Sequence, residues 1–176
     1  MTALRRLHSW LRFAWGMPRL LRTGQIGDGR EAACAAFVEA DARPGDAANA
    51  EVARRIWAHA GVGDRITCVV GTIGDGGTTL DALERDHGVD AGTVDLLFVD
   101  HDKKAYLPDL LAILQRGWLH PGSIAVADNV RVPGAPRYRS YMHEQEGRHW
   151  RTVEHRTHVE YQKLLPDLVL ESQYLG

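Results

Sequence analysis

The chain has 176 residues, 44% of them apolar and 25% charged, with a formal net charge of −2. That balance describes one ordinary soluble domain with material for a core, and gives no bulk electrostatic reason to expect nucleic acid as a partner. Cys34 and Cys68 stand far apart without CxxC or Cys/His spacing, so neither a disulfide scaffold nor a structural zinc site is expected, and a reducing, cytoplasmic setting is.

Residues 1–22 carry Arg5, Arg6, Arg12, Arg19 and Arg22 and no acidic side chain. Leu4, Leu7, Leu11 and Ala14 recur at helical spacing until Pro18. Such a basic amphipathic helix either lies on an anionic membrane surface or packs on its own domain or a partner subunit; the second reading is favoured, which leaves room for a homodimer. Asp28 and Glu31 have capping-box spacing, which predicts a helix through an alanine-rich stretch to about Ala42. After Arg43, Pro44 and Gly45, Asp46 is placed to cap another helix, with Val52, Ile56 and Ala60 on one face and Gly61 past its end.

From residue 62 the elements alternate. Residues 66–70 read as a β-branched strand, 78–87 as a helix stopped by Gly88, and 94–99 as the most continuously apolar strand. A helix is expected over 108–116, a strand over 123–127 and a helix over 136–146. The tail offers strands near 150–156 and 163–174, with Pro166 and Asp167 as an interruption. Apolar strands separated by helices predict an α/β fold with a parallel sheet covered on both faces. The organisation read from this is an N-terminal helical extension over 1–45 and an α/β domain over 46–176.

In an open parallel sheet, ligands bind beyond the carboxyl ends of the strands. Asp100 closes one strand, and Asp128 and Asn129 close the next. If those strands are neighbours, two carboxylates and a carboxamide converge on one edge. Such a set suits a hard cation such as Mg²⁺, although Asp and Asn also end strands simply because they favour turns. Lysine is rare here: of 21 basic residues only Lys103, Lys104 and Lys163 are lysine, the rest arginine. An amine, unlike a guanidinium, can lose its proton near neutrality when its surroundings depress its pKa. The histidines at 143, 149, 155 and 158 lack HExxH spacing and read as residues of a half-exposed strand.

The run Phe98-Val-Asp-His-Asp-Lys-Lys-Ala-Tyr-Leu-Pro-Asp109 and the run Val126-Ala-Asp-Asn-Val-Arg-Val-Pro-Gly-Ala-Pro136 closely resemble the magnesium-dependent catechol O-methyltransferase family. The resemblance extends to Cys68-Val-Val-Gly-Thr72 and His158-Val-Glu-Tyr-Gln-Lys163, in matched order, over roughly residues 47–176; residues 1–45 resemble the N-terminal extension of a bacterial branch. It implies a Rossmann-like sheet and methyl transfer from S-adenosylmethionine to a hydroxyl of a catechol-type small molecule chelated to Mg²⁺. By position it implies that Asp100, Asp128 and Asn129 hold Mg²⁺ and that Lys103 is the general base. It gives Glu160 the second catechol hydroxyl and Pro133 the aromatic-ring slot. Thr72, Ile73, Gly74 and His101 fall where the family surrounds the adenine.

The family's opening strand, its glycine-rich turn and the acidic end of its second strand have no counterpart in the sequence. The glycine clusters at 24–29 and 71–77 do not follow G-x-G-x-x-G, and the resemblance jumps near Asp46 to Asn49 by a strand–helix–strand unit, on the order of 30 residues. In the family the absent strand is central, between those read here at 66–70 and 94–99, so these two need another backbone partner or each other. Three readings follow: an O-methyltransferase, a catalytically silent relative serving as a binding or subunit-interaction module, or a metal-assisted hydrolase using the same edge.

Overall fold

The computed structural model describes residues 38–39, 46–159 and 162–176. The basic segment 1–22 and the first glycine cluster lie outside the described residues, as does Glu160. The chain divides into two compact units, one running to Gly71 and one from Thr72 to Gly176.

In the first unit, strand β1 is Val38–Glu39, helix α1 is Asp46–His59, a 3₁₀ turn spans Gly63–Arg65, and strand β2 is Val70–Gly71. Helix α1 begins at the expected Asp46, and Gly61 takes the left-handed conformation (φ 70°) just past its end, a backbone state that costs glycine little. Its inward residues are Ala50, which is buried, and the half-buried Ala53, Ile56 and Trp57; Val52 and Ala60 face solvent. The face is therefore rotated from the one the sequence pattern suggests. Two further expectations change here. Val38 and Glu39 form strand rather than the end of a helix, because their backbone pairs in parallel with Val70 and Gly71. The expected strand at 66–70 is ladder-paired only at its last residue and at Gly71. The guanidinium of Arg54 donates to the Cys68 carbonyl at 3.1 Å, tying α1 to the segment that leads into β2.

The second unit runs α2 (Thr78–His87), β3 (Val94–Val99), α3 (Tyr106–Gln115), β4 (Leu119–Ala127), a turn at Val130–Gly134, α4 (Pro136–Glu144), β5 (Trp150–Val159) and β6 (Gln162–Tyr174). These elements follow the expected order, and Gly88 ends α2 with φ 67° as the sequence predicts. The strand order is β3-β4-β6-β5. Strands β3 and β4 are parallel, whereas β6 runs antiparallel to both β4 and β5. The sheet is therefore mixed, because β5 and β6 follow each other directly as a hairpin, without the crossover helix that parallel neighbours need. The two strands expected to flank the absent one do not pair with each other: β2 pairs with β1, and β3 with β4. Among the described strands β3 is the edge of its sheet.

Trp118, Trp150, Tyr106, Tyr138, Leu83, Leu110, Met142 and Leu170 are fully buried in this unit. Each large apolar side chain removed from water contributes about 1.5–3 kcal/mol. Some polar groups at the core's margin are paired. Arg116 donates to Glu84 at 2.7 Å and to Asp81 at 2.6 Å, and the Trp118 indole N–H donates to Glu84 at 2.9 Å, so α2 is held to the segment that joins α3 to β4.

Candidate active site at the ends of β3 and β4

The parallel pairing brings the predicted acidic residues together. Val99 lies opposite Ala127 in the ladder, and the Asp128 N–H donates to the Val99 carbonyl at 3.0 Å. Asp100 and Asp128 thus leave adjacent strands at the same edge. Lys103 turns back from the start of the following segment. Its ammonium donates to Asp100 Oδ1 at 3.0 Å and to the Asp128 carbonyl at 3.4 Å, and it also bonds the Tyr106 hydroxyl. The three ammonium protons therefore have three acceptors. The Tyr106 hydroxyl donates onward to the Asp128 carbonyl at 3.0 Å, and its ring centroid lies 4.6 Å from the lysine nitrogen. Tyr106 is fully buried and packs edge-on against Tyr138, so the lysine is held on a rigid platform.

The electrostatics of this edge favour a cation. Burial, and then the negative charge of Asp100, push the Asp128 carboxyl up to about 6; the Asn129 N–H and Lys103 oppose this only in part. Burial and the same two carboxylates push the Tyr106 phenol far above its ordinary value, so it stays protonated. A second positive charge beside Lys103 would relieve the repulsion between the carboxylates. The donor set, two carboxylates and the carboxamide of Asn129, offers the oxygen atoms that a hard divalent ion prefers. Among the described residues no group of three or more His, Cys, Asp or Glu side chains is placed to hold a metal ion, at this edge or elsewhere.

Asn129 has φ 54° and ψ 38°, and it is the only non-glycine with positive φ among the described residues. Asparagine adopts this conformation more readily than most residues. Its side-chain nitrogen donates to Asp167 Oδ2 at 2.8 Å. The other oxygen of Asp167 accepts the backbone N–H groups of Arg131 (3.2 Å), Val132 (3.0 Å) and Leu168 (2.8 Å). Asp167, 1% exposed, therefore fixes both Asn129 and the turn that carries Pro133. The sequence reading treats this residue only as a strand interruption. The available signal was a carboxylate inside the otherwise apolar run 164–170. Pro133 is exposed and lines an open cleft of about 530 Å³ together with Val130, Arg131 and Gly134.

On the other side of β3, the His101 ring nitrogen lies 2.9 Å from Asp109, which is buried at the start of α3. A side chain at Gly74 would stand 3.9 Å from the same Asp109 carboxylate, so the 72–74 loop and His101 share one neighbour. Thr72 and Ile73 are half-buried in that loop. His143 pairs with Glu154 at 3.0 Å and His155 with Glu171 at 2.9 Å, and His149 meets the Gly176 carbonyl at 2.7 Å; each is a surface contact. No helix among the described residues is long and apolar enough to cross a membrane.

Residues 20–130 match a family model described as a methyltransferase domain. A protein of Mycobacterium tuberculosis named a probable O-methyltransferase is 74% identical over 129 residues, which cover 73% of this chain and 55% of that protein. Catechol O-methyltransferase of Sus scrofa is 39% identical over 94 residues, covering 53% of this chain and 48% of that enzyme. The chain thus spans about half the length of these relatives. Among solved structures, the O-methyltransferase from Bacillus cereus in complex with SAH has a similar fold, with a TM-score of 0.56, 18% identity, and coverage of 80% of this chain and 61% of that one.

Proposed function

The chain belongs to the methyltransferase-domain family, and from that premise we propose that it transfers a methyl group from S-adenosylmethionine to one hydroxyl of a catechol-type small molecule held on Mg²⁺. The observation that carries this reading is the edge where Asp100 and Asp128 leave neighbouring strands, with Lys103 3.0 Å from Asp100. Resemblance to catechol O-methyltransferases supports the choice of acceptor.

In this reading Asp100, Asp128 and the Asn129 carboxamide hold Mg²⁺. When bound, the ion supplies a lowered hydroxyl pKa and a fixed orientation for vicinal oxygens. Lys103, already facing this edge, receives the proton of the attacking hydroxyl at Nζ, for which its amine must be neutral. S-adenosylmethionine, when bound, would supply the electrophilic methyl for that oxygen, and the protein's part in the transfer is mainly positioning. Tyr106 restrains Lys103 through its hydroxyl and ring. Pro133 borders the acceptor ring, and Glu160 binds the second hydroxyl. On the cofactor side, the 72–74 loop, His101 and the buried Asp109 present open backbone and a polar pair suited to an adenine.

A second reading is a catalytically silent relative that acts as a binding or subunit-interaction module. It is favoured by the lack of a G-x-G-x-x-G turn in the sequence. One experiment separates the two: calorimetric titration of the full chain with S-adenosylmethionine in the presence of Mg²⁺, followed by a labelled-methyl assay on a simple catechol. Saturable binding with Mg²⁺-dependent methylation is expected. No binding at millimolar cofactor would sink the enzymatic reading.

A further inference from the structure

We infer that Asp167 is a positioning residue that decides which atom of the Asn129 carboxamide faces the cation. This inference rests on the cation site of the proposed function and extends it to a residue outside the ligand set.

A carboxamide has two ends of nearly the same shape, one an acceptor oxygen and the other a donor nitrogen. Only the oxygen can ligate a hard cation. Nothing in Asn129 itself chooses between the ends. Asp167 makes the choice. Both oxygens of a carboxylate accept hydrogen bonds, so the end of Asn129 that meets Asp167 Oδ2 at 2.8 Å has to be the nitrogen. The amide oxygen is then turned away from Asp167. Asp167 cannot easily rotate out of this role, because its Oδ1 accepts the N–H groups of Arg131, Val132 and Leu168 and its side chain is buried. It reaches Asn129 from β6, the strand that pairs with β4 in the ladder. The sheet itself therefore brings the orienting group to the ligand. Outer partners that orient metal ligands in this way commonly change affinity about 10–100-fold when altered.

Asparagine at 167 would keep an oxygen for the three backbone donors but present an NH₂ group to Asn129. Asn129 would then turn its oxygen toward residue 167 and its nitrogen toward the cation. The test uses Mn²⁺ as probe, with binding followed by paramagnetic resonance of the free ion. Asp167→Asn is expected to weaken Mn²⁺ binding roughly 10–100-fold. The exchange double variant, Asp167→Asn with Asn129→Asp, is expected to recover most of it. The new Asn nitrogen would donate to the new carboxylate, whose second oxygen faces the ion. A residue needed only for folding would not be rescued by inverting the pair. In metal-free, ¹⁵N-labelled protein the Asn129 side-chain NH₂ protons should exchange slowly with solvent, and faster in Asp167→Asn. Equal Mn²⁺ affinity in wild type and Asp167→Asn, or an exchange variant no tighter than Asp167→Asn, overturns the positioning role. Wild-type protein that binds no Mn²⁺ overturns the cation site itself, and this inference with it.

Discussion

The ladder of the first unit joins two residues to two, Val38–Glu39 with Val70–Gly71, while in the second unit β6 alone runs from Gln162 to Tyr174. Residues 66–70 hold four β-branched side chains, Ile66, Thr67, Val69 and Val70, against two in β4, Ile124 and Val126, yet nearly all of them stay outside a ladder. The difference lies in their partners. Strand β4 is paired on both sides, by β3 and β6, and Ala125, Val126 and Ala127 are buried; Val70 has one short partner and is 44% exposed. An apolar run becomes a stable strand when neighbours satisfy its backbone and cover its faces. The proposed metal residues Asp128 and Asn129 follow directly on the strand where that condition is met.

Four substitutions test this contrast. The largest effect is expected for Lys103→Ala. If chemistry resides at the β3–β4 edge, labelled-methyl transfer should fall about 10²–10⁴-fold while Mn²⁺ binding persists; unchanged turnover would remove Lys103 as the base. Leu110, 1% exposed in α3, should cost about 2–5 kcal/mol on truncation to Ala. Val70→Ala in β2 should stay within about 0.5 kcal/mol, since the side chain is nearly half exposed. Urea unfolding of both variants measures the difference directly, and equal losses would contradict the contrast between the units.

A similarly small effect concerns the start of α2. The Asp75 carboxylate accepts the Thr79 hydroxyl at 2.6 Å and the N–H groups of Gly77 and Thr79 at 3.1 Å and 3.0 Å. Its replacement by Ala should cost roughly 0.5 kcal/mol, at the low end for a helix-start acceptor, because the group is well solvated. The hydrogen bond from the Thr79 hydroxyl, aided by the backbone donors, holds its carboxyl below the usual 3.8. The unfolded chain therefore takes up this proton first as pH falls. The contribution is present above about pH 4 and drains away below it, so unfolding curves of wild type and Asp75→Ala should converge in acid.

Much of the candidate site was legible before the fold. Asp100 and Asp128 could be read as strand-terminal carboxylates, and Lys103 stood out in an arginine-dominated chain. The helix ends were legible too: Gly61 and Gly88 carry the left-handed φ that their positions require. Tyr106 and Asp167 were not legible as parts of the site. Asp167 meets Asn129, Arg131 and Val132 across 35 to 38 residues, a relation that no local pattern encodes. The buried face of α1 and the fate of residues 38–39 also escaped local reading, since they depend on which segment comes to lie beside them.

The sequence by itself determined the alternation of elements from residue 72 onward, the stops at glycine and the chemistry available at two strand ends. Those follow from periodicity, backbone preference and side-chain type, which act within a few residues. Only the tertiary structure decided that β3 and β4 are neighbours, that the tail returns antiparallel as β6, and that this strand delivers Asp167 to Asn129. Strand pairing joins residues distant along the chain, and its outcome is set by which backbone groups can be satisfied together.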